Sequence, residues 1–321
     1  MIIVTGGAGY IGNHVVAAIL SHKKKCVVVD DLSTGNRSSI PQGVPFERIN
    51  IGDAKALTKV FKKYPVTTVM HLAASIMPEE SITNPSKYYE NNTQASLTLW
   101  QVSAAHHVKN IIFSSTAAVY GQTERKKVME ESEIKPVSPY GKSKRMAEVM
   151  LEDIARAKGI RYMILRYFNV IGCDPSIPEY REKEGTHLLS VCLAVARGKR
   201  KFVPVFGYDF ATPDGTGIRD YIHVSDIASA HISALSFLER GKTGGICNVG
   251  YGRGVSVLSM IKAVEKATGK AIPFRIEKPR IGDPAEVVAD VSRIKKTLSW
   301  KPVHDDLDET IHELFKVSYV A

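Results

Sequence analysis

Cysteine is scarce in this chain and never paired in sequence. Cys26, Cys173, Cys192 and Cys247 are the only four among 321 residues. They lie far apart, form no CxxC element and have no histidine cluster at metal spacing. A disulfide framework and a zinc or other metal site are therefore not expected, and free thiols in a reducing compartment are. Long apolar runs are missing too, so no bilayer-spanning segment is expected. No basic segment with an apolar stretch precedes the strand-like run at 2–4, which argues against a signal peptide and for a cytoplasmic protein. Internal repeats and low-complexity segments are absent. Acidic excess is lacking as well: 43 Lys and Arg against 33 Asp and Glu give a net charge of +10. The basic clusters at 23–25, 125–127 and 197–201 carry no interleaved aromatics. They read as solvated helix ends and loops with some attraction for an anionic ligand, not as a nucleic-acid surface.

What is present is alternation. Apolar, β-branched runs at 2–4, 26–29, 46–51, 67–71, 111–114 and 161–166 alternate with helical patterns at 10–20, 54–63, much of 85–106 and from about 139. Continuous apolar strands separated by helices indicate an α/β fold, a doubly wound parallel Rossmann sheet covered on both faces. After Asn169 the pattern becomes irregular. It predicts a smaller C-terminal substrate-binding lobe over 169–321, following a nucleotide-binding domain over 1–168 that also receives part of 220–250. That lobe would lie across the carboxyl ends of the strands, where open α/β sheets bind ligands.

The turn Thr5-Gly6-Gly7-Ala8-Gly9-Tyr10-Ile11-Gly12 follows a strand and opens a helix. Glycines at 6, 9 and 12 permit the tight turn, the approach of backbone to a pyrophosphate and close helix–strand packing. The helix N-terminus then faces the phosphates. Asp30 ends the next strand, where a carboxylate binds both ribose hydroxyls and repels a 2′-phosphate, which selects NAD over NADP.

Ser138-Pro139-Tyr140 has the pattern of a helix start, with Ser as N-cap and Pro at the first position. Tyr140 and Lys144 then share a helical face at i and i+4. A free tyrosine has a pKa near ~10, and lowering it by ~3 units requires ~4 kcal/mol of preference for the phenolate. A cation at ~4 Å supplies about that much at an effective dielectric of ~20, so Lys144 and a nicotinamide cation together would make Tyr140 a competent base.

With these elements in hand, the chain resembles the extended short-chain dehydrogenase/reductase family, and within it the UDP-glucose 4-epimerase branch. The resemblance rests on TGGAGYIG, on 30–35, on YGKSK at 140–144, on RYFN at 166–169 and on DGTGIRDYIHVSD at 214–226. It implies NAD as a retained cofactor and a UDP-sugar substrate oxidised at C4 to a transient 4-keto sugar. That sugar turns about its diphosphate link and is reduced on the other face. Tyr140, Lys144 and Thr116 are implied as catalytic, with Thr116 bonded to the sugar oxygen. Implied cofactor contacts are Gly6, Gly9, Tyr10, Ile11, Gly12, Asp30, Leu32, Asn50, Ile51, Leu72, Ala73, Ala74, Asn92, Ser114, Tyr140, Lys144 and Tyr167. Implied substrate contacts are Thr116, Asn169, His187, Leu188, Val205, Phe206, Arg219, Arg280, Asp283 and Val287. Arg219 and Arg280 would grip the diphosphate. The family is usually dimeric, which implies a homodimer through segments near 90–106 and 140–157.

The departures from the family pattern are informative. Asn50 stands where Asp is common, Ile76 where Lys is common, and His187 where Asn is common. Val287 occupies a position that is often Tyr in enzymes restricted to UDP-glucose and UDP-galactose, which opens the N-acetylated pair as substrates. A 4,6-dehydratase of the same superfamily remains an alternative, although Ala117-Ala118 stand where its acidic pair is needed. A nucleotide-binding sensor without turnover remains another. A decarboxylase or a reductase is weaker, the latter because Asp30 disfavours NADP.

Overall fold

The structure is a computed structural model that describes all residues except 124–126, 178–186, 243, 281 and 317–321. Arg125 and Lys126 of one basic cluster thus lie outside the described residues, as does most of the irregular stretch after Asp174.

Apolar runs and amphipathic segments alternate as β1 (Ile2–Thr5), α1 (Tyr10–Ser21), β2 (Cys26–Asp30), β3 (Phe46–Arg48), α2 (Ala54–Lys63) and β4 (Thr68–His71). There follow α3 (Pro78–Thr83), α4 (Pro85–Tyr88), α5 (Ala95–Ala105), β5 (Asn110–Thr116), β6 (Lys127–Val128), α6 (Pro139–Lys158) and β7 (Arg161–Tyr167). The next segments are β8 (Asn169–Ile171), α7 (Leu188–Ala196), β9 (Val203–Phe206), β10 (Ile218–His223), α8 (Val224–Glu239) and β11 (Gly245–Val249). The remainder holds β12 (Gly254–Ser256), α9 (Val257–Thr268), β13 (Phe274–Glu277), β14 (Glu286–Ala289), α10 (Ser292–Leu298) and α11 (Leu307–Lys316).

Seven strands form one parallel sheet in the order β11-β7-β5-β4-β1-β2-β3. Alternate residues of each strand feed two cores. Ile3, Val27, Val29, Val69, Ile111 and Phe113 face one layer, while Ile2, Val4, Val28, Met70 and Ile112 face the other. This two-sided burial is why the strands read as unbroken apolar runs. The strand order reverses between β1 and β4, so the crevice at their carboxyl ends is the topological switch point. The seventh strand, β11, comes from well beyond residue 168, and α8 packs against α1, β5 and β7.

The expected helix over 85–106 is divided. Residues Tyr89–Gln94 form a π-helical turn between α4 and α5. The wider turn directs Asn92 inward, where it is 1 % exposed, and such turns recur at functional sites.

A second sheet, β12-β10-β14-β6 with β8 beside β10, underlies the other lobe, together with the β13–β9 pair. Three aspartates of the 214–226 segment hold it together. Asp214 accepts from the Thr216 amide and hydroxyl. Asp220, fully buried, accepts from the amides of Tyr251, Gly252 and Ala289. Asp226 accepts from Tyr251 Oη and from the amides of Val303 and His304. A buried carboxylate is tolerated only with such donors. All four cysteines are buried free thiols. Among the described residues no helix is long and apolar enough to cross a membrane, and no three His, Cys, Asp or Glu side chains are arranged to hold a metal.

Candidate active site

The glycine turn lies at the switch point and its glycines are sterically required. Gly6 has φ +70°, and a Cβ there would lie 2.6 Å from the Ala73 amide nitrogen. A Cβ on Gly12 would lie 2.0 Å from Gly6 O. The turn is therefore packed directly against the Leu72–Ala73 backbone after β4. A Cβ on Gly9 meets only Gly6 O, at 3.3 Å, so the outer side of this cradle is free for a ligand. Asp30 ties the turn to β2 by accepting from the amides of Ala8 (3.0 Å) and Leu32 (2.9 Å). Burial raises its pKa while those two amides oppose the rise. These residues fit a dinucleotide: a glycine cradle at a helix start, and a carboxylate one strand away.

Other expected cofactor residues are partly committed within the protein. Tyr10 Oη donates to Gly172 O at 2.6 Å. Ile11 packs against one core and Ile51 is buried in the other, so Ile51 offers a ligand only its backbone. Asn50 donates to Asp31 and accepts from the Gly52 amide at 2.7 Å, which turns its amide toward its own loop. Asn92 is engaged within the protein most fully. Its amide oxygen accepts from Ser75 N, and its nitrogen donates to Ser75 O and Ser143 Oγ. It clamps the 72–77 segment to α6. Ile76, in that segment, is 56 % exposed.

Tyr140 opens α6 as the sequence pattern requires. Ser138 caps the helix by accepting from Gly141 N, and Pro139 is the first helical residue. A Cβ on Gly141 would lie 2.5 Å from Ala118 O, so glycine there lets the helix start press on the turn after β5. That turn carries Thr116, whose Oγ1 caps it by accepting from Ala118 N. The Thr116 hydroxyl lies close enough to Tyr140 to favour its phenolate. Tyr140 keeps partial exposure to the cleft, and Lys144, one turn below, is 3 % exposed with its Nζ 4.2 Å from the Phe113 ring centre.

The expected lowering of the Tyr140 pKa is not achieved by the protein's own groups. Burial raises it, and only the Thr116 hydroxyl acts in the other direction. Burial likewise lowers Lys144 to about 7, against the pull of Glu148. Near neutral pH the lysine is therefore not a permanent cation. The fall from 10.5 to about 7 corresponds to about 5 kcal/mol of folding free energy wherever both folded and unfolded chains carry the proton. The cost is largest below pH ~7 and fades as pH rises toward the unfolded pKa, to about 2 kcal/mol at pH 9. Lys144→Met is expected to abolish turnover yet raise the melting temperature, by several degrees more at pH 6 than at pH 9. Equal gains at both pH values, measured by differential scanning fluorimetry, would contradict it.

Sequence reasoning did not single out three side chains that organise this site. Glu148, one turn after Lys144, is fully buried. It accepts from Ser115 Oγ (2.5 Å), from Arg166 Nε and Nη2 (2.9 and 2.7 Å) and from Arg145 Nη1 (3.0 Å). Burial pushes its pKa up, but these donors more than compensate and hold it low. The fork of Arg166 thus fastens α6 to β7. The third is His231 of α8. Ser114, Tyr167 and His231 form a buried chain, with 2.7 Å from Ser114 Oγ to Tyr167 Oη and 2.7 Å from Tyr167 Oη to His231 Nε2. His231 Nδ1 faces Ile227 O at 3.0 Å, and burial lowers the ring's pKa to about 4. The ring is neutral with its proton on Nδ1, so Nε2 accepts from Tyr167.

Besides Thr116, the second lobe carries the expected substrate residues. Asn169 starts β8 exposed, beside Tyr221 in register. His187 is exposed and precedes half-buried Leu188 at the start of α7. Val205 has its side chain fully buried in the lobe's own core, because alternation along β9 turns it away from its half-buried neighbour Phe206, so it offers a ligand only its backbone. Arg219 is ion-paired with Asp283 and donates to Ile218 O. Arg280 lies 4.0 Å over the Phe206 ring and pairs with Glu79 at 2.7 Å. Val287 stands opposite Arg219 in the β10–β14 register. It packs with Val119, Tyr120 and Phe168, directly behind the turn that carries Thr116.

Comparison with known proteins agrees with this geometry. Residues 2–250 match the NAD dependent epimerase/dehydratase family. The chain is 45% identical over 308 residues to the UDP-glucose 4-epimerase of Azospirillum brasilense, covering 96% of this chain and 88% of that one. The crystal structure of UDP-glucose 4-epimerase from Brucella ovis in complex with NAD superimposes with a TM-score of 0.92 at 36% identity, covering 98% of both chains. The UDP-Glc/GlcNAc 4-epimerase of Campylobacter jejuni does so with a TM-score of 0.86 at 38% identity, covering 98% of this chain and 97% of that one. Such likeness along nearly the whole length makes this chain a member of the NAD dependent epimerase/dehydratase family.

Proposed function

We propose that this chain is an isomerase that interconverts UDP-glucose and UDP-galactose at C4 and keeps NAD bound throughout. The observation that carries the reading is Tyr140 at the capped start of α6, pressed against the turn that carries Thr116, with Lys144 buried one turn below and Ala117 and Ala118 in place of the acids that dehydration needs. NAD, when bound, supplies a reversible two-electron oxidation at C4. Gly6, Gly9, Gly12, Leu32 and the Leu72–Ala74 backbone would hold it, Asp30 would take the ribose hydroxyls, and Ser114 and Tyr167 would line its site. Tyr140 Oη takes the proton of the C4 hydroxyl and later returns it, while Thr116 Oγ1 holds that oxygen. Lys144 stabilises the phenolate when protonated. Arg219 and Arg280 bind the diphosphate, about which the transient 4-keto sugar turns; Asn169, Leu188, Phe206 and Asp283 border it.

The test is incubation with UDP-galactose and no added NAD. UDP-glucose is the expected product. A free 4-keto-6-deoxy sugar would point to a dehydratase, and bound NAD without conversion to a sensor.

A second reading adds the N-acetylated pair. Small Val287, buried with Val119 and Tyr120 behind the turn that carries Thr116, favours it, and the Campylobacter jejuni relative is described as acting on both sugar types. The cofactor half is taken as 1–168 with α8 and β11, and a cytoplasmic location fits the four free thiols. We also infer a homodimer. A groove of about 870 Å³ lined by Leu97, Gln101, Ala104, Ile154 and Lys158 runs between α5 and α6, and Met146 and Val149 are exposed on α6. It opens at the amino ends of β5 and β7, opposite Thr116, and so is no substrate site. Sedimentation at the monomer mass would overturn the dimer.

A further inference from the structure

Arg280 reaches across the cleft to a carboxylate that the proposed reaction does not use. Its Nε lies 2.7 Å from Oε1 of Glu79, in the first turn of α3 on the cofactor side. The same loop touches the cofactor side again at Gly282, where a Cβ would stand 3.3 Å from Val137, three residues before Tyr140. Phe206 supports the guanidinium from beneath at 4.0 Å. The pair therefore closes over the mouth of the cleft above the start of α6.

Glu79 has no other engagement among the described residues. Its neighbour Glu80 is already matched by Lys87 Nζ at 2.6 Å and Tyr88 Oη at 2.8 Å, and Glu80 also supplies negative charge at the start of α3. Both Arg280 and Glu79 are well exposed, at 45% and 63% of their side chains, so the pair is weak enough to exchange. A diphosphate offers Arg280 the same bidentate oxygen geometry with more charge.

We propose that Glu79 is a competing ligand for Arg280: it occupies the guanidinium when no diphosphate is present and must release it when the sugar nucleotide binds. The inference rests on the reading of Arg280 as a diphosphate ligand. Once displaced, the carboxylate remains near an anion of the same sign, which adds repulsion to the lost ion pair. Both effects weaken substrate binding. Glu79 thereby sets substrate affinity and speeds the departure of product, and among the described residues its ion pair is with Arg280, not with Tyr140 or Lys144.

The experiment titrates UDP into the purified protein by calorimetry, for the wild type, Glu79→Gln, Arg280→Leu and the double variant. Glu79→Gln is expected to bind UDP about three- to tenfold more tightly, which is about 0.7 to 1.4 kcal/mol at 1.4 kcal/mol per factor of ten. In steady state with UDP-galactose the gain appears in KM, not in kcat. In the Arg280→Leu background it disappears, because the competition has no object. Unchanged or weaker binding by Glu79→Gln, with Arg280→Leu clearly weakened, overturns the role of Glu79 and leaves the diphosphate reading standing. Unchanged binding by Arg280→Leu overturns that reading itself, and the competition with it. Both side chains are on the surface, so neither substitution threatens the fold.

Discussion

Tyr140→Phe is expected to lower kcat for UDP-galactose by about two to four orders of magnitude, with NAD content and substrate KM changed little. The phenol oxygen sits between Thr116 and the cleft at the start of α6, and Phe keeps the ring's packing, including its edge contact with Tyr88 at 6.3 Å. What disappears is the group proposed to take and return the C4 proton. Thr116 remains but cannot substitute, since a hydroxyl of ordinary acidity is a poor base at neutral pH. The size of the loss follows from the same numbers that describe the native residue. Burial holds Tyr140 in its protonated form and brings Lys144 to about 7, so the protein alone leaves the pair close to neutral. An oxidised nicotinamide, when bound, would add a positive charge that favours release of the phenol proton. A loss of less than tenfold, with NAD still bound, would show that another group carries the proton.

The readable parts of this site are local in sequence. The glycine turn, Asp30 at the end of β2 and the Ser138-Pro139-Tyr140 helix start are each set within a dozen residues. Backbone sterics and capping dictate their form, and the structure forms each where the pattern puts it. Strands β1, β2, β4, β5 and β7 were legible for a similar reason, because burial on both faces leaves unbroken apolar runs. The hidden parts join distant segments. Glu148 meets Arg166 across 18 residues, and Tyr167 meets His231 across 64. Nothing in the local pattern distinguishes these from surface charges or a core histidine. The π turn at Tyr89–Gln94 was hidden as well, since apolar spacing in that stretch fits an ordinary helix and only the inward pull on Asn92 reveals the extra residue. Val205 and Phe206 were placed together from resemblance, and strand alternation separates them. The aspartates of 214–226 are the opposite case: the segment is distinctive in sequence because it builds the second lobe, with Arg219 the member that turns to the cleft.

Val287→Tyr is expected to reduce turnover of UDP-N-acetylglucosamine by about two orders of magnitude or more, while UDP-galactose turnover stays within a few-fold of wild type. Val287 lies between two fixed points of the proposed substrate path. Through the β10–β14 register it stands opposite Arg219, and through its packing with Val119 and Tyr120 it backs the turn after Thr116. Val119, Tyr120, Val128, Phe168 and Ala289 already fill the core around this position. Valine is 8 % exposed there, so its methyl groups form part of the wall with little slack behind them. A phenol cannot be absorbed into that core without a packing cost of about 1–3 kcal/mol, and it relieves this by turning toward the cleft. There it takes the volume that an acetamido group needs and a hydroxyl does not. The strength of the effect comes from exclusion, which is why it exceeds what one or two lost methyl contacts would produce. Parallel progress curves with the two sugars, at matched protein concentration and after a thermal-shift check of folding, separate the outcomes. Equal loss for both sugars would mean that Val287 supports the catalytic turn instead of selecting the substrate.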